Sequence, residues 1–302
     1  MSPRARTGLA ATCFLVAVLG GAASLLGVFA RGTGAFISVT TVRGDVYDMA
    51  TTGVYAYNAQ RVVAEGVGWD IVTLVLAVPA LLLAVPLVAR GSFRGRLFAA
   101  GLLGYFLYQY LEYSVTWAFG PLFLLFVAIY GASLVGIAWI GWSLATDKVT
   151  EPFGDRFPRR GWAALDLGMA VLLTMMWLAR IGASMGGDTS SLNGETTFTV
   201  QALDLGLLVP ASVLTALLVL RRSRLGYALA ATFGVTFAAM TAAITGMLLS
   251  AWAVEGNLEI VPVAIFGIAS VLALGLLVRT YRMPRTGTRQ RADVRAVGAS
   301  AG

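Results

Sequence analysis

The 302-residue chain has no histidine, one cysteine, Cys13, and one lysine, Lys148. Each scarcity removes a class of chemistry. A disulfide within the chain needs two cysteines, and histidine-ligated haem and zinc sites of the usual Cys/His kind lack their ligands. Lys148 stands in a polar connection, so no lysine Schiff base can form inside an apolar span. No cofactor is expected. Charge is scarce too: 12% of residues are charged and 58% are hydrophobic, against roughly 25% charged in an ordinary soluble domain.

The apolar residues gather into runs of about 20, the length that crosses a hydrocarbon core of roughly 30 Å. An all-α, polytopic membrane bundle is therefore expected. The runs fall at 9–30, 70–88, 97–117, 121–144, 162–183, 201–220, 225–254 and 259–281, which predicts eight transmembrane helices. The first run exceeds the 7–15 apolar residues of a signal core and reads as an uncleaved helix. Cys13 within it reads as a small buried residue.

The net charge of +7 sits in short segments flanking these runs. That placement is a topology signal and argues against a nucleic-acid partner. With eight spans, 18 of the 22 Lys and Arg residues lie on the side of the N-terminus. The rule that cytoplasmic loops are basic then places both termini in the cytoplasm of a plasma-membrane protein. One transmembrane domain is expected over 1–281, with a disordered, basic tail at 282–302 lying near anionic membrane lipids. In the first outer loop, 31–69, residues Val46, Met49, Ala50, Val54, Tyr57 and Arg61 recur at three- and four-residue steps. That pattern predicts an interfacial helix ending at Gly66 and Gly68, with Asp70 capping the next span. The second outer loop, 186–201, reads as polar and flexible. Pro79, Pro86 and Pro210 should bend their helices.

The stretch 104–121 is unlike the other runs, for it carries Tyr105, Tyr108, Gln109, Tyr110, Glu112, Tyr113, Thr116 and Trp117. A carboxylate in hydrocarbon costs several kcal/mol unless paired, protonated or wetted, which makes Glu112 the leading site residue. It lies roughly 24 Å along its span at 1.5 Å per residue, and Arg180 lies roughly 27 Å along its own, so the two are expected to pair. Tyr105, Gln109, Glu112 and Thr116 form one helical stripe, with Tyr110, Tyr113 and Trp117 beside it. Tyr108, Gln109 and Tyr113 are expected to line a cavity around Glu112. Asp166 and Asp204 each occur in the sequence ALDLG near a helix start, where a carboxylate meets free backbone N–H groups. Asp204 joins the candidate ligand-binding set. Gly101 and Gly104, and the face Gly234, Ala238, Thr241 and Thr245, suit close helix packing.

Known catalytic and metal-binding signatures are absent. Three functions remain open. The first is binding or transport of a small or lipid-like molecule through an outward-facing cavity. The second is a membrane enzyme acting on a lipid-linked substrate through Asp45 and Asp48, a placement of acids similar to that in glycosyltransferases using polyprenyl-phosphate sugars. The third is a structural or accessory subunit. The segment 68–130, GWDIVTLVLAVPALLLAVPLVARGSFRGRLFAAGLLGYFLYQYLEYSVTWAFGPLFLLFVAIY, resembles a group of bacterial multi-pass membrane proteins, as does LDLGLLVPA at 203–211. The resemblance implies a shared helical bundle and no particular activity.

Overall fold

A computed structural model describes residues 1–146, 153, 156–192 and 194–283. Lys148 and nearly all of the tail expected at 282–302 lie outside the described residues. Within them run eight long helices: α1 (Pro3–Phe29), α2 (Gln60–Ala89), α3 (Phe93–Val115), α4 (Phe123–Thr146), α5 (Arg159–Met185), α6 (Thr199–Leu220), α7 (Arg224–Glu255) and α8 (Ile260–Tyr281). Seven are long and apolar enough to cross a membrane, and the chain is an integral membrane protein. The exception is α3. Its tyrosines, Gln109 and Glu112 lower its hydropathy, and the packing shows why that is tolerated. Most of α3 from Gly95 to Tyr113 is buried by protein rather than left facing lipid.

The loop before α2 departs from the sequence expectation. In place of an interfacial helix over 46–61, β1 (Phe36–Thr40) pairs antiparallel with β2 (Val46–Ala50), Phe36 opposite Ala50 and Thr40 opposite Val46. The turn decides this. The Thr41 hydroxyl accepts from the N–H groups of Arg43 and Asp45, both at 3.2 Å, and Gly44 takes φ +92°. That left-handed conformation suits glycine and folds the chain back as a hairpin. Helix α2 then begins at Gln60 and runs through Gly66, Gly68 and Asp70. Asp70 is no cap: it is fully buried and accepts a hydrogen bond from the Tyr55 hydroxyl.

The two halves of the chain repeat one another. Shifted by 131 positions, residues 78–106 align without a gap on 209–237, with 12 of 29 residues identical. The likeness extends to irregular features that chance would not duplicate. A π-helical turn, Thr73–Ala77 in α2 and Asp204–Leu208 in α6, precedes Val78-Pro79 and Val209-Pro210. Proline lacks an N–H and crowds the carbonyl four residues earlier, and a widened turn accommodates both defects. After each helix the chain turns through a residue of positive φ, Gly91 (+72°) or Arg222 (+56°). A serine then caps the next helix: Ser92 Oγ accepts from Gly95 N at 3.1 Å and Ser223 Oγ from Gly226 N at 2.9 Å. The two ALDLG sequences are not part of this repeat, since Asp166 lies in α5 and Asp204 in α6.

Packing follows the duplication. Helix α1 lies on α2 as α5 lies on α6, α3 pairs with α4 as α7 pairs with α8, and α3 meets α7 between the halves. Small residues set that central contact. A Cβ on Gly101 would stand 2.3 Å from the Thr232 carbonyl oxygen, and Thr236 Oγ1 donates to the Gly101 carbonyl at 2.7 Å. The symmetry breaks in one place. The first part of α2 lies closely along α7, whereas its counterpart α6 barely reaches α3, and α5 touches α8 much less than α1 touches α4. Space is left on that side.

Candidate functional site

The space is a cavity of about 370 Å³ between α5 and α6 on one wall and α2, α3, α7 and α8 on the other. Helices α5 and α8 are joined at the end remote from the hairpin, where Trp162 Nε1 donates to Thr280 Oγ1 at 3.0 Å. Met169, Phe237 and Phe266 pack together above that junction and form the floor. From there the walls diverge toward the hairpin end, where Arg61, Ser191, Glu195 and Glu259 surround the mouth. The apolar part of the lining is methionine-rich, with Met169, Met176, Met240 and Met247 among it. Thioether side chains are flexible and polarizable, so such a wall adapts to irregular apolar bodies.

The polar upper part holds most of the residues singled out in the sequence. Glu112, Arg180, Tyr108 and Asp204 all line it. Glu112 is only 7% exposed, and no described residue bonds or pairs with its carboxylate. Asp204 accepts from the Tyr108 hydroxyl and from Trp177 Nε1, the latter at 2.8 Å. Its position within a π-helical turn belongs to the helix interior, not to a capping first turn.

Two expectations need correction. No ion pair joins Glu112 to Arg180 among the described residues. Arg180 donates instead to the Ser191 carbonyl at 3.1 Å and lies over the Trp177 ring at 5.8 Å. Equal depth along two helices placed both groups at one level but said nothing of the gap between them. Nor do Gln109 and Tyr113 line the cavity. Gln109 is fully buried and accepts from Thr73 Oγ1 at 2.9 Å, while Tyr113 donates to the Gly66 carbonyl at 3.3 Å and stacks on Trp117 at 3.9 Å. A four-residue step advances a helix face by about 40° and a three-residue step retreats by about 60°. Tyr108 and Glu112, four apart, therefore share the cavity face, while Tyr105, Gln109 and Tyr113 follow the neighbouring face onto α2.

No family model, no curated protein and no solved structure matches this chain.

Arg61, placed in the sequence on the lost interfacial helix, turns out to organise the mouth. Its guanidinium donates to Glu65 at 2.9 Å, Glu255 at 3.2 Å and Glu259 at 2.6 Å, tying the start of α2 to the junction of α7 and α8. The loop at 186–201 is also structured by contact. Thr189 donates to Asp45, Arg43 donates to the Thr196 carbonyl at 3.2 Å, and buried Leu192 reaches the cavity. Its Glu195 is partly buried at the mouth. Desolvation pushes that carboxyl up to about 7, against the opposing pull of Arg180. Asp45 and Asp48 do not converge on the cavity, for Asp48 accepts from Ser38 Oγ at 2.7 Å on the hairpin and Asp45 holds Thr189.

Beside the cavity lies a second polar group with no opening of its own. Tyr105 and Gln109 meet Thr73, and Tyr110 meets Ser24 at 3.1 Å and the Gly20 carbonyl at 3.0 Å. All sit on the α1–α2–α3 contact. These bonds fix the helices of the closed half, while Glu112 and Asp204 face the cavity below the acids of its mouth, Glu195 and Glu259.

Proposed function

We propose that this protein binds, and moves across or within the membrane, a small amphipathic or lipid-like molecule held in the cavity between its halves. The observation that carries this reading is the shape and chemistry of the cavity: an apolar, methionine-lined depth below a polar mouth, with buried Glu112 facing the space unpaired. Pockets of this size with a few convergent polar groups are the default ligand sites of proteins. An eight-span topology with both termini in the cytoplasm, supported by the 18-to-4 division of Lys and Arg, turns the mouth outward. The loose contact of α5 and α6 with the remaining helices, and the π-helical turns before Pro79 and Pro210, supply places for movement.

Native mass spectrometry of the purified protein beside its Glu112→Gln variant tests the proposal. A defined adduct on the wild type that disappears from the folded variant is expected. Bare protein in both spectra, from preparations made in mild detergent, would refute it.

A further inference from the structure

The charges around the cavity do not balance, and their imbalance points to the class of ligand. Both basic residues of the lining are already engaged. Arg61 is shared by three carboxylates, and the charge of Arg180, which holds a loop carbonyl and the face of Trp177, is offset by Glu65 and Glu195. Deeper in, Glu112 has no partner among the described residues, and the charged groups acting on it are Asp204, Glu195 and Glu65, all carboxylates. Asp204 is held by two neutral donors, Tyr108 and Trp177, which fix its direction without cancelling its charge.

Around these acids stand aromatic rings. Trp69 and Tyr108 lie 6.5 Å apart by centroid, and Trp117 and Trp177 share the same lining. Aromatic faces attract cations, and they do so most strongly where water is excluded. An anionic head group placed here would add a further negative charge to an acidic site whose cations are spent. A cationic one would supply the missing counter-charge while its apolar body entered the methionine-lined floor.

We propose that the ligand is a hydrophobic cation, an apolar chain or ring body bearing one ammonium-type group, with its charge between Glu112 and Asp204. This rests on the cavity being a ligand site, and the test separates the two ideas.

The full chain is reconstituted in neutral phosphatidylcholine nanodiscs. Saturable quenching of tryptophan fluorescence is then followed with three probes of equal chain length: decyltrimethylammonium, its neutral isostere decyldimethylamine oxide, and decanesulfonate. The cation is expected to bind about tenfold tighter than the amine oxide and tighter still than the sulfonate. Glu112→Gln should remove that tenfold preference while leaving amine-oxide affinity within about twofold, which also shows that the variant is folded. Asp204→Asn provides the same comparison if Glu112→Gln does not fold. Equal or tighter binding of the neutral or anionic probe by the wild type would overturn the charge assignment and leave the cavity as a site. An unchanged cation preference in a folded variant would overturn it as well. Saturable binding of none of the three would remove the cavity reading itself.

Discussion

The crossing of α2 and α7 offers the sharpest test of the packing, because backbone meets backbone there. A Cβ on Gly68 would lie 2.3 Å from the Gly246 carbonyl oxygen, 2.6 Å from its carbon and 2.8 Å from Met247 Cα. No rotamer change can relieve such overlap, so Gly68→Ala must drive the helices apart by about 1 Å. Overpacking of this kind costs about 1–3 kcal/mol. Alanine's better helix propensity returns at most about 1 kcal/mol. For a protein of this size each kcal/mol moves the melting temperature by about 2–4 °C. Against an alanine placed in open space, where the propensity gain cancels, a fall of about 2–12 °C is expected in detergent, read by intrinsic fluorescence or by loss of the monodisperse peak on heating. Gly267→Ala in α8 is the control. Nothing lies within 4 Å of its added Cβ, so it should melt with the wild type or slightly above it. If Gly68→Ala melts with the control, α2 and α7 do not cross there, and the account of a closed and an open half fails.

Two further outcomes follow from the repeat and from the mouth. Ser92→Ala and Ser223→Ala each remove one N-cap bond at equivalent places, so each should lower stability by about 1 kcal/mol; chemical denaturation of both variants checks the equivalence, and a cost at one position alone would contradict it. Glu195 has a folded-state pKa of about 7 against an ordinary value of 4.5. Its protonated form is therefore the better tolerated one in the fold, and stability should fall as pH rises from about 4.5 to about 7, then level off. Partial exposure limits the effect to about 1–2 kcal/mol. Melting curves of wild type and Glu195→Gln between pH 4.5 and 8 should converge at the acid end and separate above pH 7, and parallel curves would count against the burial of this group.

Long apolar runs were enough to read the helices, because hydrocarbon demands about 20 residues per crossing and leaves the backbone no alternative but helix. Glu112, Tyr108, Asp204 and Arg180, which line the cavity, were conspicuous for a related reason, since polar side chains stand out against Leu and Val. What escaped was everything set by contact between distant segments. The 46–61 steps fit a helix, but Thr41 and Gly44 close a hairpin that the spacing of apolar residues does not report. Gln109 and Glu112 differ by one three-residue step, and only the neighbouring helices decide that one faces Thr73 and the other the cavity. Arg61 reads from spacing as the last residue of an interfacial helix pattern, because Glu255 and Glu259, its partners, lie nearly two hundred positions away. The repeat is written in Val-Pro-Ala and in the spaced Arg, Ser and Gly that follow it, whereas the two ALDLG sequences stand 38 positions apart and belong to no such register.

The duplication also explains why there is a cavity at all. In the closed half the wall is sealed where Gly68 meets Gly246. The same shift of 131 positions carries Gly68 to Thr199 and Gly246 to Val115, two β-branched residues that both line a recess of about 260 Å³. A crossing as tight as the first cannot form between them. The equivalent contact is thus tight in one half and held apart in the other, and we expect that Val115→Gly combined with Thr199→Gly would let α6 settle against α3. A double variant that folds and still takes up ligand as the wild type does would show that the wedge lies elsewhere.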